Sequence, residues 1–219
     1  MSNHIPGWMK ARDLQILSTL SSLCPEFGSI LEIGSFLGRS TYSLYKNKKE
    51  SVKLSVIDKF EITPMYNTNI ESFKSKLDGN ITLAVEAAKL AQQNNSWRFG
   101  FKLCLGDEIY SNIDVNVCDS NDFKKTTDYD LVFIDGAHDR DTVLCDIEKF
   151  ITPTNLLVGD DFGKECMKFA GLIDAVSYSK IKYNRTLVCL DNSRLWILVP
   201  NSGYWKNVLG IKVSKMLIK

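Results

Sequence analysis

Short apolar runs rich in β-branched residues recur along this chain with helix-patterned stretches between them, and that alternation restricts the folds open to it. Ser29–Ile33, Lys53–Ile57, Phe99–Leu105, Asp130–Ile134, Asn155–Gly159, Thr186–Leu190 and Leu195–Val199 read as strands. Lys10–Leu23, Arg39–Lys46, Ile81–Ala91, Arg140–Phe150 and Lys164–Ser179 read as helices. Strand–helix alternation needs crossover connections, which predicts an α/β fold with a mostly parallel sheet and helices on both faces. Asp191-Asn192-Ser193 is a turn signal between the last two strands, so the sheet is expected to end in an antiparallel hairpin.

The 219 residues suffice for a single domain with a sizeable core. The stretch between Asp58 and Phe99 is longer than a crossover needs, so about residues 61–97 are expected to form an insertion, a candidate lid or acceptor wall. No apolar run is long enough for a membrane span. Lys10, Arg12 and Asp13 interrupt the N-terminus before a signal-peptide core could form, so the expectation is a cytoplasmic protein. Six cysteines lack any metal-binding spacing and read as free thiols in a reducing compartment. Charge is uneven: Lys164 to Lys219 holds ten basic residues against three acids, +7, so the first 163 residues sum to −6 for a net +1. A solvated helix and tail is the simpler reading of that basic quarter; a surface for an acidic partner is the other.

Two segments carry the chemistry. In the first, Glu32-Ile33-Gly34-Ser35 runs from a strand into a turn, and Gly38-Arg39-Ser40-Thr41 opens a helix. Glycines allow backbone to approach a ligand, and the helix start directs N–H groups and a positive dipole end at it. Asp58 ends the next strand, where a carboxylate can take the hydroxyls of a ribose, with Lys59 beside it. The turn is not the GxGxxG fingerprint, which disfavours a dinucleotide and leaves a nucleoside-type cofactor. An ordinary strand–turn–helix is the plainer alternative.

In the second, Asp130–Ile134 delivers Asp135 with His138 three residues on, and the next strand delivers Asp160-Asp161. Three carboxylates at adjacent strand ends would repel one another unless a cation joins them, and an all-oxygen set suits Mg²⁺ or Mn²⁺. Imidazole titrates near neutral pH, which fits a general base at His138. The competing reading makes Asp160-Asp161 a helix cap and His138 a surface residue.

Glu32–Thr41, Asp58, Gly106-Asp107 and Asp135–His138 resemble the class I S-adenosylmethionine-dependent methyltransferases, nearest to the macrocin-type O-methyltransferases and cephalosporin-hydroxylase-like proteins. The resemblance runs from Gly7-Trp8-Met9 to about Val176. It implies a Rossmann-like seven-stranded sheet and S-adenosyl-L-methionine as cofactor. It implies cofactor contacts at Glu32, Gly34, Ser35, Gly38, Arg39, Ser40, Thr41, Asp58, Lys59, Gly106, Asp107 and Asp135, with Gly106 and Asp107 beside the adenine. It further implies Mg²⁺ or Mn²⁺ on Asp135, Asp160 and Asp161, and His138 or Asp135 as the base. Trp8 would belong to an N-terminal segment closing over the cofactor. The function expected is metal-assisted O-methylation of a hydroxyl, of a sugar or glycan by family analogy. Alternatives are a catechol or other phenol as acceptor, or a nucleotide-binding module without catalysis. No Asn-Pro-Pro-Tyr-like segment is present to hold a flipped base, which argues against nucleic acid. The oligomeric state, including a homodimer, stays open.

Overall fold

The computed structural model describes residues 4–63, 77–162 and 169–216, with side chains described as far as residue 210. A seven-stranded sheet forms the frame: β1 Ser29–Ile33, β2 Lys53–Asp58, β3 Asp114–Val117, β4 Leu131–Ile134, β5 Leu156–Gly159, β6 Arg185–Cys189 and β7 Trp196–Pro200. Spatial order is β3-β2-β1-β4-β5-β7-β6. β3 to β5 along this order are parallel, while β7 runs antiparallel to both β5 and β6, giving the expected terminal hairpin. The helices are α1 Ala11–Ser22, α2 Arg39–Asn47, α3 Ile81–Asn94, α4 Arg98–Ser111, α5 Arg140–Phe150, α6 Ala170–Lys182 and α7 Gly203–Met216.

Strand alternation sorts the core into layers. On β4, Leu131 and Phe133 join one apolar cluster with Leu14 and Leu17 of α1 and Trp205 of α7. Val132 and Ile134 face the other way, against Val143 and Ile147 of α5 and Leu172 and Val176 of α6. Both faces of the central strands are buried, which is why they read as unbroken apolar runs.

One expected strand needs correction. Phe99–Leu105 is not a strand but lies within α4. Its apolar and other residues alternate in sequence, yet the burial is helical: Gly100, Phe101, Cys104 and Leu105 are buried, whereas Phe99 and Leu103 are exposed. The partner is α3, whose inward face is Ala84, Ala87, Ala88 and Ala91. Gly100 lies so close to that helix that a Cβ there would come within 3.0 Å of the Ala87 carbonyl oxygen. The true third strand, Asp-Val-Asn-Val at 114–117, carries two polar residues because it is a sheet edge, with no fully buried residue. The C-terminal helix α7 has no counterpart in the sequence reading; Trp205 anchors it, buried and donating its indole N–H to the Asp130 carbonyl at 2.8 Å.

Of the expected insertion, α3 and the flanking residues are described; residues 64–76 lie outside the described residues, as does 163–168 of the helix expected from Lys164. Cys24 and Cys104 are buried, and burial pushes both thiols up to about 12; Cys145 and Cys189 are exposed. No helix among the described residues is long and apolar enough to cross a membrane.

Candidate functional site

Register alone brings the chemistry to one edge. Ile33 pairs with Ile57 and Ile134, Ile134 with Gly159, and Gly159 with Trp196. Gly34, Asp58, Asp135 and Asp160 therefore emerge side by side at the carboxyl ends of parallel strands, with Arg194 arriving from the amino end of β7. This is where open α/β sheets bind ligands. A cleft of about 790 Å³ opens there.

At one end, Gly34 sits at φ +83°, and a Cβ would come within 2.4 Å of the Asp135 carbonyl oxygen. Only glycine lets the β1 turn pass this close to the chain leaving β4. The Asp58 carboxylate fastens the turn: Oδ2 accepts from the Ser35 N–H at 2.7 Å and the Phe36 N–H at 2.9 Å, and Oδ1 from the Phe60 N–H at 2.6 Å. Ser40 and Thr41 are committed elsewhere. Both hydroxyls donate to the fully buried Glu32 carboxylate, whose pKa is raised to about 7 by burial. Arg39 donates to the Ile5 carbonyl at 2.8 Å and lies 3.8 Å from Asp78, tying down the N-terminal strap. That strap, Pro6–Met9, forms one wall of the cleft, and Trp8 stacks on Phe36 with ring centroids 4.9 Å apart.

At the other end, His138 Nε2 lies 2.7 Å from Asp161 Oδ2, and its ring stacks on Phe169 at 4.2 Å. Asp161 is held at φ +63°. Asp160 is buried, with Oδ1 accepting from the Asp161 N–H and Oδ2 from Arg194 Nη2, each at 2.7 Å. Arg194 Nη1 also donates to Asp161 Oδ1 at 3.1 Å. Behind it, fully buried Asp13 of α1 accepts from the Ser193 hydroxyl at 2.6 Å and lies 3.9 Å from Arg194 Nε. Burial, then the charges of Asp160 and Asp161, raise the Asp135 pKa well above the ordinary carboxylate range.

Of the residues expected to hold a cofactor, Gly34, Ser35, Arg39, Ser40, Asp58, Lys59 and Asp135 line the cleft. Glu32, Gly38 and Thr41 do not; they brace the turn from behind. Gly106 and Asp107 are not among its lining residues. Gly106 is a kink inside α4 at φ +77°, and Asp107 is an exposed side chain 3.1 Å from Lys102. That expectation placed them after a strand at Phe99–Leu105; the residues that do leave β3 are Cys118 to Asn121, and all four line the cleft. The cation set is also rearranged. Asp135, His138 and Asp161 offer ligand atoms that all lie within 4.8 Å of one another; Asp160 lines the same cleft outside that group. Two carboxylates with an imidazole have the donor chemistry of a divalent-cation site. Arg194, Phe169 and Asp146 were not found from sequence; an arginine starting the strand beside an acid pair was the available signal for the first.

Solved O-methyltransferase structures share this fold at low identity. An S-adenosylhomocysteine-bound O-methyltransferase from Bacillus cereus superposes with TM-score 0.55 at 12% identity, over 87% of this chain and 81% of that one. A protein from Klebsiella pneumoniae assigned as an O-methyltransferase gives 0.56 at 13%, over 88% and 81%. A TDP-rhamnose 3'-O-methyltransferase of calicheamicin biosynthesis gives 0.51 at 14%, over 87% and 80%. No protein-family model matches the chain, and no curated protein matches its sequence.

Proposed function

We propose that this chain is an S-adenosylmethionine-dependent O-methyltransferase that acts on the hydroxyl of a sugar or glycan with a divalent cation's help. The observation that carries this reading is a single cleft holding two kinds of site: a glycine turn with an acid-ended second strand, and an acid cluster with a histidine. S-adenosylmethionine supplies an electrophilic methyl group when bound, and a divalent cation supplies positive charge that makes a nearby hydroxyl easier to deprotonate. Gly34, Ser35, Arg39, Ser40, Asp58 and Lys59 would hold the cofactor. Asp135 and Asp161 would hold the cation.

His138 takes the acceptor proton. A nitrogen that ligates a cation cannot also receive a proton, and we assign His138 to the proton: Nε2–H donates to Asp161, so Nδ1 is the nitrogen that receives it. Asp161, 2.7 Å away, orients the ring and stabilises the imidazolium that forms. Phe169 covers one ring face and keeps water from it. Arg194 holds Asp160 and Asp161 in place. The rest of the rate enhancement comes from positioning acceptor oxygen and methyl group in one cleft.

The sugar is favoured by the macrocin-type resemblance and by one structural neighbour being named a sugar 3'-O-methyltransferase. A catechol or other phenol is the second reading, favoured by the stacked Trp8–Phe36 pair and nearby Trp97, an aromatic surface that suits a planar ring. The test is a methyl-transfer screen with labelled cofactor against sugars, glycans and phenols, in Mg²⁺, in Mn²⁺ and in chelator. Transfer to a sugar that stops on chelation is expected. Failure to bind S-adenosylhomocysteine in calorimetry would end the reading altogether.

A further inference from the structure

The cleft extends beyond the glycine turn and the acid cluster. This part of it lies between α5 and the loop that leaves β3. Asp58 pairs with Val117 across β2 and β3, so this loop is the next backbone out from the ribose position. Lys149 of α5 pins the loop, donating to the carbonyls of Ser120 at 2.6 Å and Asn121 at 2.8 Å. Its carboxylates differ in commitment. Asp119 meets Lys59 Nζ at 2.7 Å and accepts from the Asn121 N–H at 2.8 Å. Asp139 caps α5, accepting from the Thr142 N–H at 3.0 Å.

Asp146 is different. It lies one turn beyond Thr142 on α5, is 2% exposed, and lines the cleft. Ser120 bonds its carboxyl from one side, yet Oδ1 has no hydrogen-bond partner. A buried acceptor without a donor costs free energy that folding alone does not recover. Burial accordingly raises the Asp146 pKa to about 6. What this part of the cleft lacks is an N–H arriving from outside.

We propose that Asp146 reads the cofactor's base: its open Oδ1 accepts from the exocyclic amine of an adenine lodged between α5 and the β3 loop. This inference rests on the S-adenosylmethionine reading. An adenosyl group has one N–H-bearing position at the far edge of its base, and that amine meets the unmet Asp146 acceptor. A base with a carbonyl there would set oxygen against oxygen and be rejected.

The test uses the full chain, S-adenosylhomocysteine and its inosine counterpart, S-inosylhomocysteine, in calorimetry. Wild type should prefer the adenosyl compound by about 10–100-fold, the range expected when a buried acceptor is left unmet. Asp146→Asn presents an amide donor and should weaken the adenosyl compound while narrowing or reversing the preference. Equal binding of the two by wild type would overturn this inference and leave the cofactor reading standing. Equal weakening of both in a folded Asp146→Asn would show that Asp146 only braces the loop, and would also overturn it. Wild type binding neither would remove the cofactor reading, and this inference with it. The wild-type comparison needs no variant, so a misfolded Asp146→Asn does not blunt the experiment.

Discussion

The two ends of the cleft solve the same problem in different ways. Both bring carboxylates to the carboxyl edge of a sheet. At the glycine turn, hydrogen bonds from nearby groups satisfy each acid: Asp58 receives three backbone N–H groups, and Glu32 receives the hydroxyls of Ser40 and Thr41. At the acid cluster, Asp13, Asp160 and Asp161 gather around Arg194, which comes from the opposite strand direction. The first end is therefore fixed by backbone geometry. The second is fixed by charge balance and can respond to an added cation or proton. A rigid end suits holding a cofactor, and an electrically poised end suits handling an acceptor's proton.

The largest effect should come from breaking the geometric end. Gly34→Ala places a methyl group against backbone at a positive φ, and should cost about 4 kcal/mol or more, or prevent folding, as read by urea denaturation. If the variant unfolds like wild type, the turn is not rigid. On the chemical side, His138→Ala should lower turnover by roughly 10²–10⁴-fold while S-adenosylhomocysteine affinity stays unchanged. Wild-type turnover in that variant would move the base role to Asp135.

Arg194→Met tests charge balance directly. It leaves buried Asp13 and Asp160 without their cation and should destabilise by about 3 kcal/mol. Mn²⁺ should then raise the melting temperature of the variant more than that of wild type. An equal response would mean that cation and arginine do not share the site.

A comparable term should appear at the geometric end as a pH slope. The Glu32 pKa is raised from 4.5 to about 7 in the fold, so folded protein binds the proton more tightly than unfolded chain does. Its contribution is fully favourable below the unfolded value and declines as pH climbs from 4.5 to 7, by about 3 kcal/mol in all. Glu32→Gln should flatten that slope in denaturation measured across the window, whereas an unchanged slope would assign it to Asp146 and Asp160, which titrate in the same direction. The smallest effect is expected at Asp107. Asp107→Ala, on the exposed face of α4, should change stability by less than about 0.5 kcal/mol and leave cofactor affinity alone. A clear loss of affinity would restore the adenine role that the family resemblance implied.

The legible parts of this molecule are those where one local rule dominates. β1, β4 and β5 are buried on both faces, β2 is so over Val56-Ile57, and all four announce themselves as apolar runs; Arg140–Phe150 is a helix in both readings, with Asp139 capping it in the structure. Gly34 and Asp58 were recognisable because each ends such a strand. The β3 edge was not recognisable, because an edge strand carries little burial. Phe99–Leu105 was misread because its apolar spacing also fits a strand until α3 is there to pack against.

By itself, then, the sequence determined the α/β alternation, the turn at Gly34 and the delivery of Asp135, Asp160 and Asp161 to strand ends, since each depends on neighbours in the chain. Tertiary structure alone decided which acids meet. Arg194, 34 residues from Asp160 and 181 from Asp13, closes the charge of both. Asp160, bonded by Arg194, stands outside the group formed by Asp135, His138 and Asp161. Tertiary structure also placed Asp146, a helix residue without local signal, at the floor of the cleft. Electrostatic pairing depends on distance in space, and in this fold the decisive distances are set by the pairing of β7 with β5 and the packing of α5, neither of which any local pattern encodes.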